Sequence, residues 1–492
     1  MAASDNRDNI IDYAGDFRLK ACTIISYRKS PTSEKATRQN ILPQVLNITL
    51  VEDVTMPVLT GSVDVSDGVD FRTMLPITGM EKLELHVFTP GQSEIKYLEG
   101  VTDTFNVYKI EKIRGATSMT SRSSIYRIHF ISRESYRNST TRVSKAFEGP
   151  VEAAVYELVQ DKKYLDSRKE LYAEPTATNS KYVIPNLKPL KTIKFLAEQA
   201  VSDKYKNAGY LFYETTKGFN FRSFESMMAQ SGTVARPSIE KYAMQPANLR
   251  DAKQNKDIIK DLQSPDSYSF ENVVNTLEEL NKGLFANKLI THDIYNKKIT
   301  EFNYDYHEQF GEHFHTEHND GAKSDTKFMK PLAYYEDTGK HLSDFPMAKL
   351  MNLVDTKAVH NDYEFPPAED ILPNRVSQRA QMANNHLLLS VPGQTRMNVG
   401  NIITFNLPLQ RQVAHDKGQE TNPYYSGRYL ILQLRHEFDV QNQKHMMTMR
   451  CVKDAAKTEL PYEHENLITL REKNKVLETT VQDLDNSEIM GG

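Results

Sequence analysis

Residues 427–454, GRYLILQLRHEFDVQNQKHMMTMRCVKD, have the pattern of two β-strands joined by a polar turn at residues 439–444. In the first strand, every second residue falls on the same face, which sets Leu430, Leu432 and Leu434 against Ile431, Gln433 and Arg435. In the second strand the alternation continues, with Met447, Met449 and Cys451 set against Thr448 and Arg450. The stretch therefore predicts the closing hairpin of a β-rich fold.

The composition indicates a soluble globular protein with more than one domain. At 492 residues the chain exceeds one ordinary core, so about two to four domains are expected. Charged residues make up 26% and hydrophobic residues 39% of the chain, which are ordinary values. The net charge of −4, from 61 basic and 65 acidic residues, gives no overall electrostatic reason to bind nucleic acid or an anionic membrane.

The two cysteines and the N-terminal residues predict no disulfide framework, thiolate metal site or membrane segment. Cys22 and Cys451 are too few and too far apart for a disulfide framework or a thiolate metal site, and both fit strand alternation as buried small residues. The N-terminal MAASDNRDNI lacks an apolar signal core, and no run approaches the roughly 18 apolar residues of a membrane helix. We therefore expect a protein made and assembled in a host cytoplasm, with no membrane partner.

Changes in hydrophobic period divide the chain. Alternation such as Tyr126, Ile128 and Phe130 predicts strands before residue 150, and helical spacing begins after Pro150. An aromatic hairpin follows around a turn at Lys217. The predicted segments are a first β domain at 1–149, an α+β insert at 150–230, a connection and helix at 231–283, a second β domain at 284–310 plus 384–455, an insertion at 311–383 and a helical tail at 456–492.

The tail carries an apolar seam whose members alternate three and four residues apart, as in a heptad repeat. The predicted interaction residues are Leu467, Leu470, Asn474, Leu477, Val481 and Leu484, with Asn474 at an a position. The seam is shorter than the three to four heptads that usually mark a coiled coil. A helix docked on a neighbour, a self-associating coil and a frayed tail all remain open.

The segment HFHTEH is the one cluster that resembles a metal site, and it contains His313, His315 and His318. A His-x-His pair suits a strand, because both side chains face one way, but His318 then needs a turn to join them. No HExxH or other standard ligand spacing occurs. We expect a histidine-rich polar surface loop, and an ion site is the alternative.

Signatures of catalysis are missing from the sequence. No nucleophile elbow, phosphate-binding loop or dinucleotide fingerprint occurs, so we expect no enzymatic activity and no cofactor. The carboxylate pair Glu278 and Glu279 is predicted on a solvated helix face. Arg435 and His436 lie on opposite faces of a strand, where a lumen-facing or interface role is favoured.

The order of features near the C-terminus resembles a known family. Asn398-Val-Gly-Asn-Ile-Ile-Thr-Phe-Asn-Leu-Pro is followed by Gly-Arg-Tyr-Leu-Ile, Arg-His and Lys-Asp, and Leu-Ile-Thr-His-Asp lies upstream at 289–293. This order is similar to the tube barrel of the baseplate central hub proteins of contractile-tailed phages, which sit above the cell-puncturing spike. The resemblance implies an α+β, mainly β fold with two similar tube-type β-barrels, an inserted α+β domain and a long polar insertion.

The resemblance also implies a structural role in the virion tail baseplate. Family members form homotrimers, and two similar barrels per subunit match the sixfold tail tube above to the threefold spike below. Expected partners are the spike protein, the tail tube or a tube-initiator protein and the tape-measure protein. DNA would pass through without specific binding, which the near-neutral charge suits. The rival interpretations are an unrelated multi-barrel adhesin or secretion-tip component and a metal-dependent hydrolase built on the three histidines.

Overall fold

The computed structural model describes residues 9–27, 37–68, 77–100, 102–114, 124–177, 179–231, 234–235, 237–244, 257–271, 275–317, 327–328, 342–355, 368–383, 385–409 and 421–456. The strands are β1 (Arg18–Ser26), β2 (Thr37–Asn40), β3 (Val45–Asp53), β4 (Thr60–Asp67), β5 (Lys82–Phe88), β6 (Ile95–Tyr97), β7 (Phe105–Arg114), β8 (Ser124–Ser132), β9 (Val143–Pro150), β10 (Leu171–Ala173), β11 (Asn179–Leu187), β12 (Tyr210–Thr215), β13 (Gly218–Ser223), β14 (Ala229–Ser231), β15 (Val234–Ala235), β16 (Glu240–Ala243), β17 (Ser267–Glu271), β18 (Ala286–Asp293), β19 (Lys298–Asp305), β20 (Lys327–Phe328), β21 (Leu350–Val354), β22 (His386–Pro392), β23 (Ile402–Asn406), β24 (Gly427–Asp439), β25 (Lys444–Val452) and β26 (Ala455–Ala456). The helices are α1 (Arg133–Thr140), α2 (Val151–Gln160), α3 (Pro189–Ala197), α4 (Phe224–Met228), α5 (Ile258–Leu262), α6 (Thr276–Lys282), α7 (Tyr306–Gln309) and α8 (Ala368–Met382), with short 3-10 turns at Leu42–Gln44, Phe310–Glu312, Leu342–Asp344 and Pro346–Ala348.

The prediction of an α+β, mainly β chain is confirmed. One large sheet runs in the order β17-β22-β25-β24-β3-β4-β8-β7-β5-β1-β2, with β6 on β5 and with β23 and β16 attached beside β24. The sheet covers two separate hydrophobic clusters. The first core is built on β1 and β3 to β8, and the second core is built mainly on β22 to β25. Strands far apart in sequence therefore belong to one sheet.

Strand β24 joins the two parts of the sheet. Along one edge it pairs with β25, and along the other it pairs first with β23 and then with β3. A bulge between Ile431 and Gln433 marks the change of partner. The bulge shifts the side-chain phase, so Ile431 and Leu434 are buried while Leu432 is partly exposed. The predicted single leucine face is therefore wrong at Leu432, whereas the predicted hairpin is confirmed.

The insert after Pro150 follows its sequence pattern. Helix α2 buries the residues that repeat at helical spacing, and α3 begins at Pro189 and buries Ile193 and Leu196. The aromatic hairpin is β12 and β13, and Thr215 pairs with Gly218 across its turn. Helices and hairpin enclose a third hydrophobic cluster. Proline positions and turn residues were sufficient signals here because the contacts are local in sequence.

Residues 284–310 differ from their predicted role. They were expected to open the second β domain, but β18 and β19 pair with each other and β18 pairs with β21, in a sheet of their own. The second core instead receives β16 and β17, which lie in the predicted connection, through pairs with β23 and β22. Alternation predicts that a segment is a strand, but it does not identify the partner strand.

The structure differs from two further expectations. The predicted polar insertion contains a helix, α8, that buries Ile371, Ala380 and Met382. Glu279, expected on a solvated helix face, is fully buried. Among the helices that the structure describes, none combines the length and the apolar character that a membrane span requires.

Candidate functional site: the junction between the two cores

The junction is the stretch where β3 pairs with β24, from Asp53 opposite Gln433 to Asn47 opposite Asp439. Strand β24 contributes Leu434 to the second core and Phe438 to the first core. A strand that buries side chains in two cores couples those cores, because a shift in its register would expose apolar side chains in both of them. Four sets of buried polar residues connect the two cores to the segments packed on them.

A pair of buried histidines lies on the β24–β25 hairpin. His436 Nδ1 and His445 Nε2 are 3.0 Å apart, so one nitrogen donates and the other accepts. Burial lowers the pKa of His436 to about 4, and burial together with the neighbouring His436 lowers the pKa of His445 well below its usual value. Both rings are therefore neutral near pH 7.

The chain closes tightly around this pair. The backbone N–H of His445 donates to the carbonyl of Gly15 at 2.8 Å, and the N–H of Gly393 donates to the carbonyl of His445 at 2.8 Å. A Cβ atom at Gly393 would overlap the His445 ring, so only glycine fits there. The ring of His445 also stacks on Phe438, with 4.0 Å between ring centroids. The N-terminal segment and the loop after β22 are thus fixed to the hairpin.

Glu52 forms the second buried set and ties three separate segments together. Its carboxylate accepts from the backbone N–H of Thr216 at 2.8 Å, from that of Val399 at 3.0 Å and from the amide of Asn398 at 3.1 Å. Burial raises the pKa of Glu52 to about 7, although these donors lower it. Sequence reasoning missed this residue, yet Glu52 continues the buried phase of Ile48 along β3.

Lys169 links the insert to the first core. Its ammonium lies 2.8 Å from Glu134 and 2.6 Å from Glu214, and all three side chains are buried. Burial lowers the pKa of Lys169, but the two carboxylates outweigh this effect and raise it. Glu214 also accepts from the backbone N–H of Leu59 at 2.9 Å. The insert is therefore held by charges that water does not screen.

The histidine-rich segment forms the fourth set, and the expected polar surface loop is wrong for its described residues. His313 lies 2.8 Å from Glu225, and His315 is buried with Nδ1 2.9 Å from Asp454. The two rings therefore serve different partners and do not converge on one point. His318 lies outside the described residues, as do the predicted interaction residues Leu467, Leu470, Asn474, Leu477, Val481 and Leu484.

The hydrogen bonds of His315 fix its charge. Nε2 contacts the carbonyl oxygen of Phe310 at 2.7 Å, and Nδ1 contacts the Asp454 carboxylate. Both partners accept, so both ring nitrogens donate and the ring is an imidazolium. Burial raises the pKa of Asp454, but His315 and the two donors of Thr316 outweigh burial and lower it. The pair is therefore ionic and encloses no open coordination position.

A second ionic pair lies beside it. Lys453 Nζ is 3.0 Å from Glu317 Oε1, and the side chains are 1% and 0% exposed. Glu317 also accepts from the backbone N–H of Arg428, and it fills the space where a side chain at Gly427 would lie. Residues 313–317 are thus anchored on both sides of the closing hairpin. The function of this segment in the fold is attachment.

The chemistry available to these sets is limited. Among the described residues, no group of three or more His, Cys, Asp or Glu side chains is placed to hold a metal ion. Both cysteines are buried, and burial raises the pKa of Cys22 to about 12. Buried thiols of this kind are poor nucleophiles.

Removal of metal ions should therefore leave the protein unchanged. Treatment of the purified protein with EDTA is expected to shift the melting temperature by no more than the scatter between repeats, because His313 and His315 already have protein partners. The measurement is thermal unfolding followed by circular dichroism, with metal content determined in parallel. Stoichiometric zinc and a clear loss of stability in EDTA would restore the metal-site interpretation.

Solved structures similar to this chain are known, at low sequence identity. No protein-family model matches it, and no curated protein sequence is similar to it. Similar solved structures include a tail protein from Neisseria meningitidis, at 8% identity and a TM-score of 0.48 over 89% of this chain and 97% of that chain. They also include a 43 kDa prophage tail protein from Shewanella oneidensis, at 9% identity and a TM-score of 0.46 over 88% and 98%.

A third similar structure is an E. coli component of the type VI secretion system, at 10% identity and a TM-score of 0.36 over 90% of this chain and 78% of that chain. These three solved structures are tail and secretion-system proteins.

Proposed function

We propose that the chain is a structural protein of a contractile-tail baseplate, which forms a homotrimeric hub between the tail tube and the spike. In this role each subunit presents two similar barrels, one built on the first core and one on the second. Three subunits then offer six similar surfaces to the tube and three to the spike. The observation that carries the proposal is the single sheet through β3 and β24, which supports two cores acting as one unit.

Transmission of force is the physical reason for such a junction. Two cores joined only by a flexible linker could rotate independently, and the alignment of tube and spike would be lost. Here the cores share the strand β24, and Glu52 adds buried hydrogen bonds across three segments. Breaking these contacts exposes apolar surface and leaves buried donors unpaired, both of which are costly. A rigid double unit is what an adaptor between two symmetries needs.

An exposed apolar surface supports an assembled state. On the small sheet of β18, β19 and β21 and the turn between β18 and β19, six large apolar side chains are exposed to water. Leu353 alternates to the opposite face from Val354, and we call the other five the apolar patch, namely Ile294, Tyr295, Ile299, Leu350 and Val354. Ile299 and Val354 lie on one face because both pair with His292 of the central strand. Clustered exposed apolar side chains mark interaction surfaces. We propose that the apolar patch contacts a neighbouring subunit of the hub.

Leu350→Asp is expected to weaken the trimer. A carboxylate in a subunit contact would be desolvated, and the facing Lys288 already pairs with Glu301, so its burial is costly. Light scattering at micromolar concentration should show the intact protein as a trimer and the variant shifted towards monomer. Leu350 is 48% exposed, so the subunit itself should still fold.

Val183→Asp is the matched control, because Val183 is 71% exposed but lies in the insert, away from the apolar patch. It should leave the trimer intact. A trimer that survives Leu350→Asp would show that this surface is not the subunit contact.

We make two further proposals, about DNA passage through the ring and about the C-terminal residues of the chain. DNA is expected to pass through the ring without specific binding, since the net charge is −4 and broad phosphate neutralisation would hold it back. The seam of residues 467–484 is proposed to form a helix buried against another tail component, with the spike, tube and tape-measure proteins as candidates. The site of action is the virion tail.

A further inference from the structure

A cavity of about 450 Å³ lies between the second core, the insert and α8. Its floor is apolar, formed by residues such as Leu211, Phe224 and Leu432. Leu432 lies at the bulge in β24, where it packs against the edge of the second core and also lines the cavity. The cavity is therefore built at the same irregularity that marks the junction.

The wall of the cavity carries unbalanced positive charge. Lys194 and Arg379 line it, both are exposed, and neither forms an ion pair with any residue in the described part of the chain. Arg450 lies there too, but its guanidinium is already 3.5 Å from the Glu271 carboxylate, so the unbalanced charge is that of Lys194 and Arg379. The one carboxylate in the wall, Asp53, is already engaged by Thr55 and Gln433. The ligand that fits is anionic at its ends and apolar between them.

The described chain ends close to this cavity. The carbonyl of Asp454 accepts from the Gln381 side chain at 3.0 Å, and Gln381 lies on α8 next to the cavity-lining Met382. Ala456 is the last described residue. From there, three extended residues reach about 10 Å to Glu459 and seven reach roughly 23 Å to Glu463. Gln381 and Arg379 are about 3 Å apart along α8 but face different sides of it, so the segment has to pass around the helix to reach the cavity.

The sequence just beyond Ala456 has the required chemistry. Residues 459–463 read Glu-Leu-Pro-Tyr-Glu, with a carboxylate at each end and apolar side chains between them. We propose that the cavity is the docking site of this chain's own residues 459–463, with Glu459 and Glu463 paired to Lys194 and Arg379. Leu460 and Tyr462 cover the apolar floor. Docking here fixes the point from which the C-terminal tail leaves the fold.

Carbodiimide cross-linking of the full-length protein tests the proposal, because the reagent joins a lysine amine to a carboxylate only when they touch. Mass spectrometry should find Lys194 joined to Glu459 or Glu463. Lys191 is the matched control, since it lies on the same helix, is exposed and does not line the cavity. In a mixture of isotope-labelled and unlabelled protein, the joined peptides should come from one chain.

Charge reversal sharpens the test. Arg379→Glu should lower the yield of the Lys194 cross-links several-fold, and adding Glu463→Arg should restore the bond between Lys194 and Glu459. Arg379 is exposed, so the variant keeps the fold. Equal coupling of Lys191 and Lys194 to these glutamates would overturn the proposal. Joined peptides made of one labelled and one unlabelled partner would also overturn it, because the occupant would then be a second copy.

Discussion

Lys453→Met is expected to lower the free energy of unfolding by about 3–5 kcal/mol, because it removes one partner of a buried ion pair. The Glu317 carboxylate would keep its burial and lose the ammonium that lies 3.0 Å away. The substitution also removes the hydrogen bond that Lys453 donates to the carbonyl of Ser426. Equilibrium unfolding in urea, followed by circular dichroism, measures the effect.

Two further variants make this test specific. Lys444→Met removes a lysine from the same hairpin whose side chain is 49% exposed and 3.4 Å from Asp266, so it should change stability by about 0–1 kcal/mol. Removing both charges with Lys453→Met and Glu317→Gln should recover much of the loss, since no buried charge is left alone. If Lys453→Met is no more damaging than Lys444→Met, the buried pair is not an anchor.

Acidification from pH 6.5 to pH 4 is expected to destabilise the protein through the pair His436 and His445. In the unfolded chain a histidine binds its proton near pH 6.5, whereas burial holds the pKa of His436 near 4 in the folded state. The unfolded state therefore takes up more protons within this window, and stability is lost as the pH falls through it. For His436 alone the loss is about 3 kcal/mol.

His436→Gln should make the pH dependence shallower between pH 6.5 and 4, because one of the two titrating groups is gone. His292→Gln is the control, since His292 is a partly exposed histidine of β18 and should leave the slope unchanged. The measurement is urea unfolding at half-unit steps of pH. Parallel curves for the protein and its His436→Gln variant would contradict the assignment of this pair as an acid-sensitive contact.

The sequence predicted elements well where the contacts are local. The helices after Pro150 and Pro189, the aromatic hairpin and the closing hairpin all appear, because proline positions, turn residues and periodicity act within a few residues. Strand partners were less predictable. Residues 286–293 have the alternation of a core strand, yet they pair within a separate small sheet. Nothing in a single strand's pattern encodes its neighbour.

The buried polar residues were the main feature that the sequence pattern did not predict. We made no prediction for Glu52 from the sequence, and we expected Glu279 and the histidine segment on the surface. All of Glu52, Glu279 and His315 are buried, and Glu52 and His315 have hydrogen-bonding partners. A buried charge depends on partners distant in sequence, as Glu317 depends on Lys453. Periodicity gives one usable signal, because a charged residue in the buried phase of a strand, such as Glu52 after Leu50, must find a partner.

The proposed function of this chain is that of a trimeric adaptor between tube and spike. Cryo-electron microscopy of the assembled tail tests it most directly, because it counts subunits and locates each core in the same map. We expect the map to show three copies of the chain in one ring at the head of the spike, with first and second cores alternating around a central channel. A map in which the chain lies outside that layer, or forms a ring with another number of copies, would contradict it.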